Sequence, residues 1–106
     1  MAKTEFVNKV LSAVSTIPKG KIVSYGQIAL MVDAPRAARQ VGWVLSSHGG
    51  EKGVPWWRVI NNSGRISIKH KEYLPTLQKE LLEKEGIKVS KDFVVDIEKY
   101  RYRPYK

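Results

Sequence analysis

Two short segments of this 106-residue chain hold side chains suited to binding a flat, negatively charged ligand. The first holds Arg36, Arg39 and Gln40 among small residues. Because the guanidinium of Arg39 is planar, it could both stack on a ring and donate hydrogen bonds. The second segment, residues 55–59, reads Pro-Trp-Trp-Arg-Val. Its extended character predicts a strand, in which one indole could face the core while its neighbour lines a cleft and stacks on a base.

Each of these features also has a simpler explanation. The small residues around Arg39 could pack against another helix while Arg39 stays solvated, and both tryptophans could belong to the core. Lys69, in the basic run at residues 69–71, could contact phosphate groups or could be a solvated charge. The residue types alone leave these alternatives open.

The chain lacks cysteine, which excludes disulfides, thiolate metal ligands and a cysteine nucleophile. Its two histidines, His48 and His70, are far apart and neither belongs to a spaced ligand set. We therefore expect no metal and no other cofactor.

The charge of the chain is strongly positive, with 19 Lys and Arg against 10 Asp and Glu. A surplus of +9 favours a polyanionic partner, nucleic acid first, although excess lysine could simply maintain solubility. The sequence has no apolar run long enough to cross a membrane and no secretory signal at its start. We expect a soluble intracellular protein, in the cytoplasm with the nucleoid or in the nucleus according to its source.

Apolar spacing and capping signals predict the helices that precede and carry these residues. Residues 4–15 form a predicted amphipathic helix with Thr4 as its N-cap. Ser24 should accept from the N–H of Gln27 and so open a second, short helix. A third helix is predicted over residues 35–47, with Pro35 in its first position. Two short helices joined by a tight turn suggest a helix-turn-helix with residues 35–47 as the recognition helix.

That recognition helix offers few long polar side chains for reading bases in a major groove. Its small residues, Ala37, Ala38 and Gly42, would permit close approach to the narrower minor groove, with Arg39 driven into the base stack.

The C-terminal half predicts a small β wing and one more helix. Residues 54–60 and 65–68 are expected as strands on either side of a turn at residues 62–64. A last helix carries Leu74, Leu77, Leu81 and Leu82 and ends at Gly86. The predicted fold is mostly α with a small β wing: a winged helix-turn-helix domain over residues 1–88, then a basic, tyrosine-rich tail over residues 89–106. The tail suits backbone contact with nucleic acid, or folding back over the domain.

Three segments in order carry a family resemblance: Ser-Tyr-Gly-Gln at 24–27, Arg-Ala-Ala-Arg-Gln-Val-Gly at 36–42, and Pro-Trp-Trp-Arg-Val-Ile at 55–60. They resemble the DNA-binding domain of the O6-alkylguanine-DNA alkyltransferases, over about Thr4 to Lys88. In those enzymes the third motif reads Pro-Cys-His-Arg-Val, and its cysteine accepts the alkyl group. Here Trp56 stands at the cysteine position, which marks the alkyltransferase-like proteins, a non-enzymatic branch.

The resemblance implies roles for individual residues. Tyr25 would press on the phosphate beside a damaged nucleotide and help to rotate it outward, and Arg39 would fill the vacated space in the duplex. Trp57 replaces the histidine that helps to deprotonate the cysteine, while Glu85 still matches the glutamate that orients that histidine. Alkyl transfer needs a thiolate and a base, so none is expected. His48 stands where the enzymes commonly carry asparagine in the hinge.

The sequence thus predicts a monomer that binds O6-alkylguanine in double-stranded DNA by nucleotide flipping and flags it for nucleotide excision repair proteins. The predicted DNA-binding residues are Tyr25, Arg36, Arg39, Gln40 and Lys69. The predicted lesion pocket consists of Tyr25, Pro55, Trp56, Val59 and Lys69. The alternative is a winged-helix transcriptional regulator, which would need polar base-reading residues and usually a dimerisation surface. A glycosylase or hydrolase would need a base or a metal in the pocket.

Overall fold

The computed structural model describes residues 4–51, 53–66 and 75–104, which form mainly helices with a small two-stranded sheet. This architecture confirms the predicted fold class. In chain order the elements are α1 (Glu5–Ser15), β1 (Val23–Ser24), α2 (Tyr25–Met31), α3 (Ala38–His48), a 3-10 turn (Trp56–Arg58), β2 (Val59–Ile60), α4 (Pro75–Lys84) and α5 (Ile97–Tyr100).

The caps predicted for the first two helices are present. The side chain of Thr4 accepts from the N–H of Val7 at 3.2 Å, and that of Ser24 accepts from the N–H of Gln27 at 3.0 Å. Each bond satisfies a backbone donor that the first turn of a helix would otherwise leave without a partner. These caps therefore fix where α1 and α2 begin.

The turn between α2 and α3 is built around Asp33, which has a positive φ of 59°. The N–H of Ala34 donates to the carbonyl of Ala29 at 2.8 Å, and the N–H of Asp33 donates to Leu30. This is the Schellman pattern, with aspartate in the position that glycine usually takes.

The predicted start of the third helix at Pro35 is wrong, because α3 begins at Ala38. The N–H of Ala37 donates to the carbonyl of Ala34 at 2.9 Å and closes a separate turn. The backbone of Ala37 is also not helical, with φ −102° and ψ 24°. Arg36 consequently lies in this turn and not on the helix.

The segment over residues 54–60 was predicted to be extended, but only its last two residues form a strand. Residues 56–58 form a 3-10 turn, in which the N–H of Arg58 donates to the carbonyl of Pro55 at 3.0 Å. The fixed φ of proline suits the entry to such a turn. Strand β2 then pairs in parallel with β1, with Val23 opposite Val59.

The turn of the predicted wing is present, with the N–H of Gly64 donating to the carbonyl of Asn61 at 2.9 Å. The strand after this turn was predicted to form a hairpin with β2. Instead, Arg65 forms an antiparallel bridge with Val94. Gly64 has φ +85°, and a Cβ there would lie 2.2 Å from the carbonyl oxygen of Val95. Residues 67–68 lie outside the described part of the chain.

Two groups of buried residues form the core. One joins α1, α2 and α3 to Trp56 and Val59. The other contains Ile22, Ile60, Ile66, Leu82, Ile87, Val89, Val95 and Ile97. The described residues of the tail therefore fold back over the domain, which is one of the two roles considered for it; the boundary at residue 88 stays a prediction.

Helix α4 departs in detail from its predicted apolar face, because Leu77 is exposed while Gln78 is buried. The side-chain amide of Gln78 donates to the carbonyls of Trp57 and Val59, each at 3.1 Å. Leu74 lies outside the described residues. As predicted, Gly86 ends the helix with φ +87°. Within the described ranges, none of the helices is long and apolar enough to cross a membrane.

Candidate nucleic-acid interface

An open groove of about 1290 Å³ runs beside α2 and α3. On α3 the spacing i, i+3, i+4, i+7 places four residues on one face toward it: Arg39, Gly42, Trp43 and Ser46. From α2 it is lined by Tyr25, Gln27 and Leu30, and from other segments by Asn61, Asn62 and Arg101. The lining of the groove is thus mainly apolar, with two arginines, of which Arg101 is bonded to Gln27 and Glu98.

Arg39 is exposed, and within the part of the chain that the structure describes it has no hydrogen bond or ion pair. Its neighbour Gly42 is equally open, since a Cβ there would meet nothing within 4 Å. The surface around Arg39 therefore leaves room for a ligand to approach the helix backbone. Arg36 and Gln40 are exposed as well, but they do not line the groove.

Tyr25 stands at the start of α2 and packs partly against the core while lining the groove. Burial raises the pKa of its phenol above the ordinary 10.0. The hydroxyl therefore stays neutral at physiological pH and can both donate and accept a hydrogen bond.

A second, smaller cavity of about 510 Å³ lies between the end of α1, the loop after α3 (Gly49, Gly50, Glu51 and Gly53) and the 3-10 turn. Pro55 and Trp56 line it together with Trp57. Trp56 is only 6% exposed, and its ring meets that of Trp57 edge to face, with centroids 5.9 Å apart. The indole thus belongs to the core and borders the cavity.

The structure divides the residues predicted to form one lesion pocket. Pro55 and Trp56 border the smaller cavity, whereas Tyr25 lines the larger groove. Val59 is 1% exposed and packs within the core, and it lines neither cavity. Lys69 lies outside the described residues. Tyr25 at the start of α2 and Trp56 in the 3-10 turn pack with the same group of core residues but border different cavities.

Beside the smaller cavity, Glu85 collects four hydrogen-bond donors. Its carboxylate accepts from the indole N–H of Trp57 at 2.8 Å, from Arg58 Nε at 3.0 Å and Nη2 at 2.7 Å, and from the backbone N–H of Gly20 at 3.0 Å. Arg58 also donates to the carbonyl of Ile17 at 2.8 Å and lies 5.5 Å from the ring centre of Trp57. We call Trp57, Arg58 and Glu85 the Glu85 anchor.

Opposing effects act on the pKa of Glu85 in this anchor. Burial raises the pKa of Glu85, but hydrogen bonds from Arg58, Gly20 and Trp57 and the charge of Arg58 outweigh it, so the pKa lies below the ordinary 4.5. The group is therefore a carboxylate at neutral pH. Trp57 offers only an N–H donor, so it cannot remove a proton from a nucleophile.

The loop after α3 closes on the smaller cavity. His48 Nδ1 lies 3.0 Å from the carboxylate of Glu51. A Cβ on Gly49 would lie 2.4 Å from the carbonyl oxygen of Leu45 and 3.1 Å from Cβ of Trp56. Glycine therefore allows the end of α3 to pack directly on Trp56. In the described ranges, no three His, Cys, Asp or Glu residues cluster as metal ligands would.

Among the groove residues that sequence reasoning missed are Leu30, Trp43 and Arg101. Leu30 is 63% and Trp43 73% exposed. A signal for Trp43 exists, because it falls outside the helical phase of the buried residues Val41 and Val44. No local signal could place Arg101, which reaches the groove only because the tail folds back.

The sequence of this chain is similar to those of known proteins. Residues 5–87 match the family described as the DNA-binding domain of 6-O-methylguanine DNA methyltransferase. A DNA base-flipping protein of Vibrio parahaemolyticus is 39% identical over 100 residues, which cover 94% of this chain and 98% of that protein. Alkyltransferase-like protein 1 of Schizosaccharomyces pombe is 38% identical over 108 residues, which cover 98% of this chain and all of that one.

Solved structures agree with these relatives. The crystal structure of S. pombe Atl1 in complex with damaged DNA containing O6-carboxymethylguanine superposes with a TM-score of 0.88, at 38% identity, over 98% of this chain and 100% of that chain. O6-methylguanine methyltransferase of Mycobacterium tuberculosis gives a TM-score of 0.70, at 37% identity, over 79% of this chain and 50% of that chain.

Proposed function

Since this chain belongs to the family of the 6-O-methylguanine DNA methyltransferase DNA-binding domains, and to its alkyltransferase-like members, we propose that it recognises O6-alkylguanine in duplex DNA. It flips the damaged nucleotide out of the helix and transfers no alkyl group. The observation that carries the proposal is an open groove in which the exposed Arg39 has no partner among the described residues, together with a separate cavity bordered by Trp56, in a chain without cysteine.

In this proposal α3 enters the minor groove with its small residues against the duplex. Arg39 moves into the space that the flipped nucleotide leaves, while Tyr25 presses on the adjoining phosphate with a neutral hydroxyl. Arg36, Gln40 and Lys69 add contacts to the sugar-phosphate backbone, which supply affinity without sequence information.

The flipped base would occupy the smaller cavity, with its alkyl group toward Pro55 and Trp56. Val59 supports that wall from the core. Alkylation at O6 removes the N1 proton of guanine and weakens its pairing with cytosine, so extrusion costs less for the lesion than for guanine. Each methylene that the cavity buries would add up to about 0.8 kcal/mol of binding free energy.

A protein that binds a lesion and does no chemistry leaves the damage for other proteins to remove. We therefore propose that the bound chain, acting as a monomer, flags the site for nucleotide excision repair. It would do so wherever the cell keeps its DNA: in the cytoplasm beside the nucleoid, or in the nucleus.

The test is a titration of two matched duplexes that differ only by O6-methylguanine in place of one guanine. We expect a lower Kd for the damaged duplex at fixed salt. A radiolabelled methyl group should remain entirely on the DNA after incubation. Equal affinity for the two duplexes would overturn the proposal, and so would a preference for one undamaged sequence, which a transcriptional regulator would show. Label recovered on the protein would refute the absence of chemistry.

A further inference from the structure

The most exposed large apolar side chains in the described ranges lie together in the groove. Trp43 is 73% and Leu30 63% exposed, whereas the next, Val94 and Leu77, are 37% and 36% exposed and lie elsewhere. Leaving an indole in water forgoes the free energy that burial of its large apolar area would supply. An exposed tryptophan beside a proposed binding residue therefore marks a contact surface.

Trp43 shares its helix face with Arg39, four residues earlier in α3. At a rise of 1.5 Å per residue the two side chains leave the helix about 6 Å apart along its axis. Gly42 lies between them and carries no side chain that could separate them from a ligand. Whatever approaches Arg39 closely therefore also meets the indole.

We propose that Trp43 is a second DNA-contacting side chain, which lays its indole in the minor groove against deoxyribose and base edges, one to two base steps from the entry point of Arg39. This inference rests on the proposed function. A minor groove about 6 Å wide admits a flat ring edge-on, and apolar side chains commonly act there as wedges between base steps.

DNA fits this surface better than a second copy of the chain does. The patch adjoins the exposed Arg39 on a chain of net charge +9. A self-complementary interface would bring two such cationic faces together, which opposes association, whereas phosphates on either side of a minor groove attract them.

The position of Trp43 predicts how its loss differs from the loss of Arg39. Trp43 lines the groove and not the smaller cavity, so its contact should strengthen binding to damaged and undamaged duplexes alike. It carries no charge, so it should not contribute to the dependence of Kd on salt. Arg39 should contribute to both lesion flipping and that dependence.

The experiment measures Kd for the guanine and O6-methylguanine duplexes at several salt concentrations, with wild type, Trp43→Ala, Trp43→Phe and Arg39→Ala. Leu77→Ala is the matched control, because it removes an exposed apolar side chain outside the groove. We expect Trp43→Ala to weaken binding to both duplexes by about tenfold and Trp43→Phe to recover most of the loss. The slope of log Kd against log salt should stay unchanged for Trp43→Ala and fall by about 1 for Arg39→Ala.

Acrylamide quenching gives a second readout that does not depend on affinity. The readily quenched fluorescence of the free protein should disappear in Trp43→Phe, and saturating DNA should protect it in wild type. Wild-type affinity in a folded Trp43→Ala, a loss confined to the damaged duplex, or unprotected Trp43 fluorescence would each overturn this inference. In all three cases lesion preference of the wild type would leave the proposed function standing. Failure of the wild type to bind either duplex would refute both this inference and the proposed function.

Discussion

The groove and the Glu85 anchor each contain an arginine and a tryptophan, yet the two regions use them in opposite ways. In the groove, Arg39 and Trp43 are exposed, and Arg39 has no partner among the described residues. In the anchor, the side chains of Arg58 and Glu85 are 15% and 7% exposed, and they form an ion pair at 2.7 Å.

The comparison teaches that residue type does not distinguish a binding surface from a structural contact. What distinguishes them is whether the side chains already have hydrogen-bond partners within the protein. In the anchor the hydrogen bonds of Arg58 are already made to Glu85 and to the carbonyl of Ile17, which holds the 3-10 turn against α4. In the groove the equivalent groups remain available to a ligand. In the proposed function, the anchor beside the cavity keeps Trp56 in place, while the open groove supplies the interaction energy with DNA.

The largest effect on stability is expected when the anchor loses its negative charge. Glu85→Gln leaves the buried guanidinium of Arg58 without a counter-charge, so the free energy of unfolding at pH 7 should fall by about 3–5 kcal/mol. Urea denaturation measures this change. Glu80→Gln is the control, since Glu80 is an exposed carboxylate on α4, five residues before Glu85, and it should have almost no effect.

The same variant tests the sign of the pH dependence. The pKa of Glu85 is lower in the folded protein than its ordinary value of 4.5. Its stabilising contribution is therefore complete above that value and is lost as the pH falls through the folded pKa. The wild type should lose stability below about pH 4.5, and Glu85→Gln should lose less over the same range. Parallel acid curves for the two proteins would contradict the anchor.

A smaller effect is expected where the end of α3, the helix that carries Arg39, packs on Trp56. Gly49→Ala would push a methyl group against the carbonyl of Leu45 and against Trp56, so the free energy of unfolding should fall by roughly 1–3 kcal/mol. Gly42→Ala is the matched control, because a Cβ there meets nothing within 4 Å. In the middle of α3 it should raise stability by roughly 0.5–1 kcal/mol. Similar thermal shifts in the two variants would show that close packing at Gly49 does not matter.

The smallest effect on stability should come from the groove itself. Arg39→Ala removes an exposed side chain without a partner in the described residues, so the free energy of unfolding should change by at most about 0.5 kcal/mol. Flipping should nevertheless be lost, as measured by the fluorescence of 2-aminopurine placed beside the lesion. Arg36→Ala removes an exposed arginine outside the groove; it should weaken binding but retain the fluorescence change at saturating protein. Retention in Arg39→Ala would make Arg39 an ordinary surface charge.

Much of this protein was predictable from short stretches of sequence. The caps at Thr4 and Ser24 and the end of α4 at Gly86 all depend on residues within one helical turn, so local physical chemistry determines them. The absence of cysteine likewise excludes alkyl transfer to a thiolate without any structure. The order of the three motifs was sufficient to identify the family.

Only the tertiary structure decided the surroundings of those motifs. Glu85 meets Gly20, 65 residues away in the chain, and Trp57, 28 residues away. The turn at Gly64 pairs with the tail and not with β2, because a close approach to Val95 fixes it there. A two-residue strand and a three-residue 3-10 turn are too short to show a periodic pattern, so their conformations depend on contacts between distant segments. Those contacts also divide the predicted pocket between two cavities.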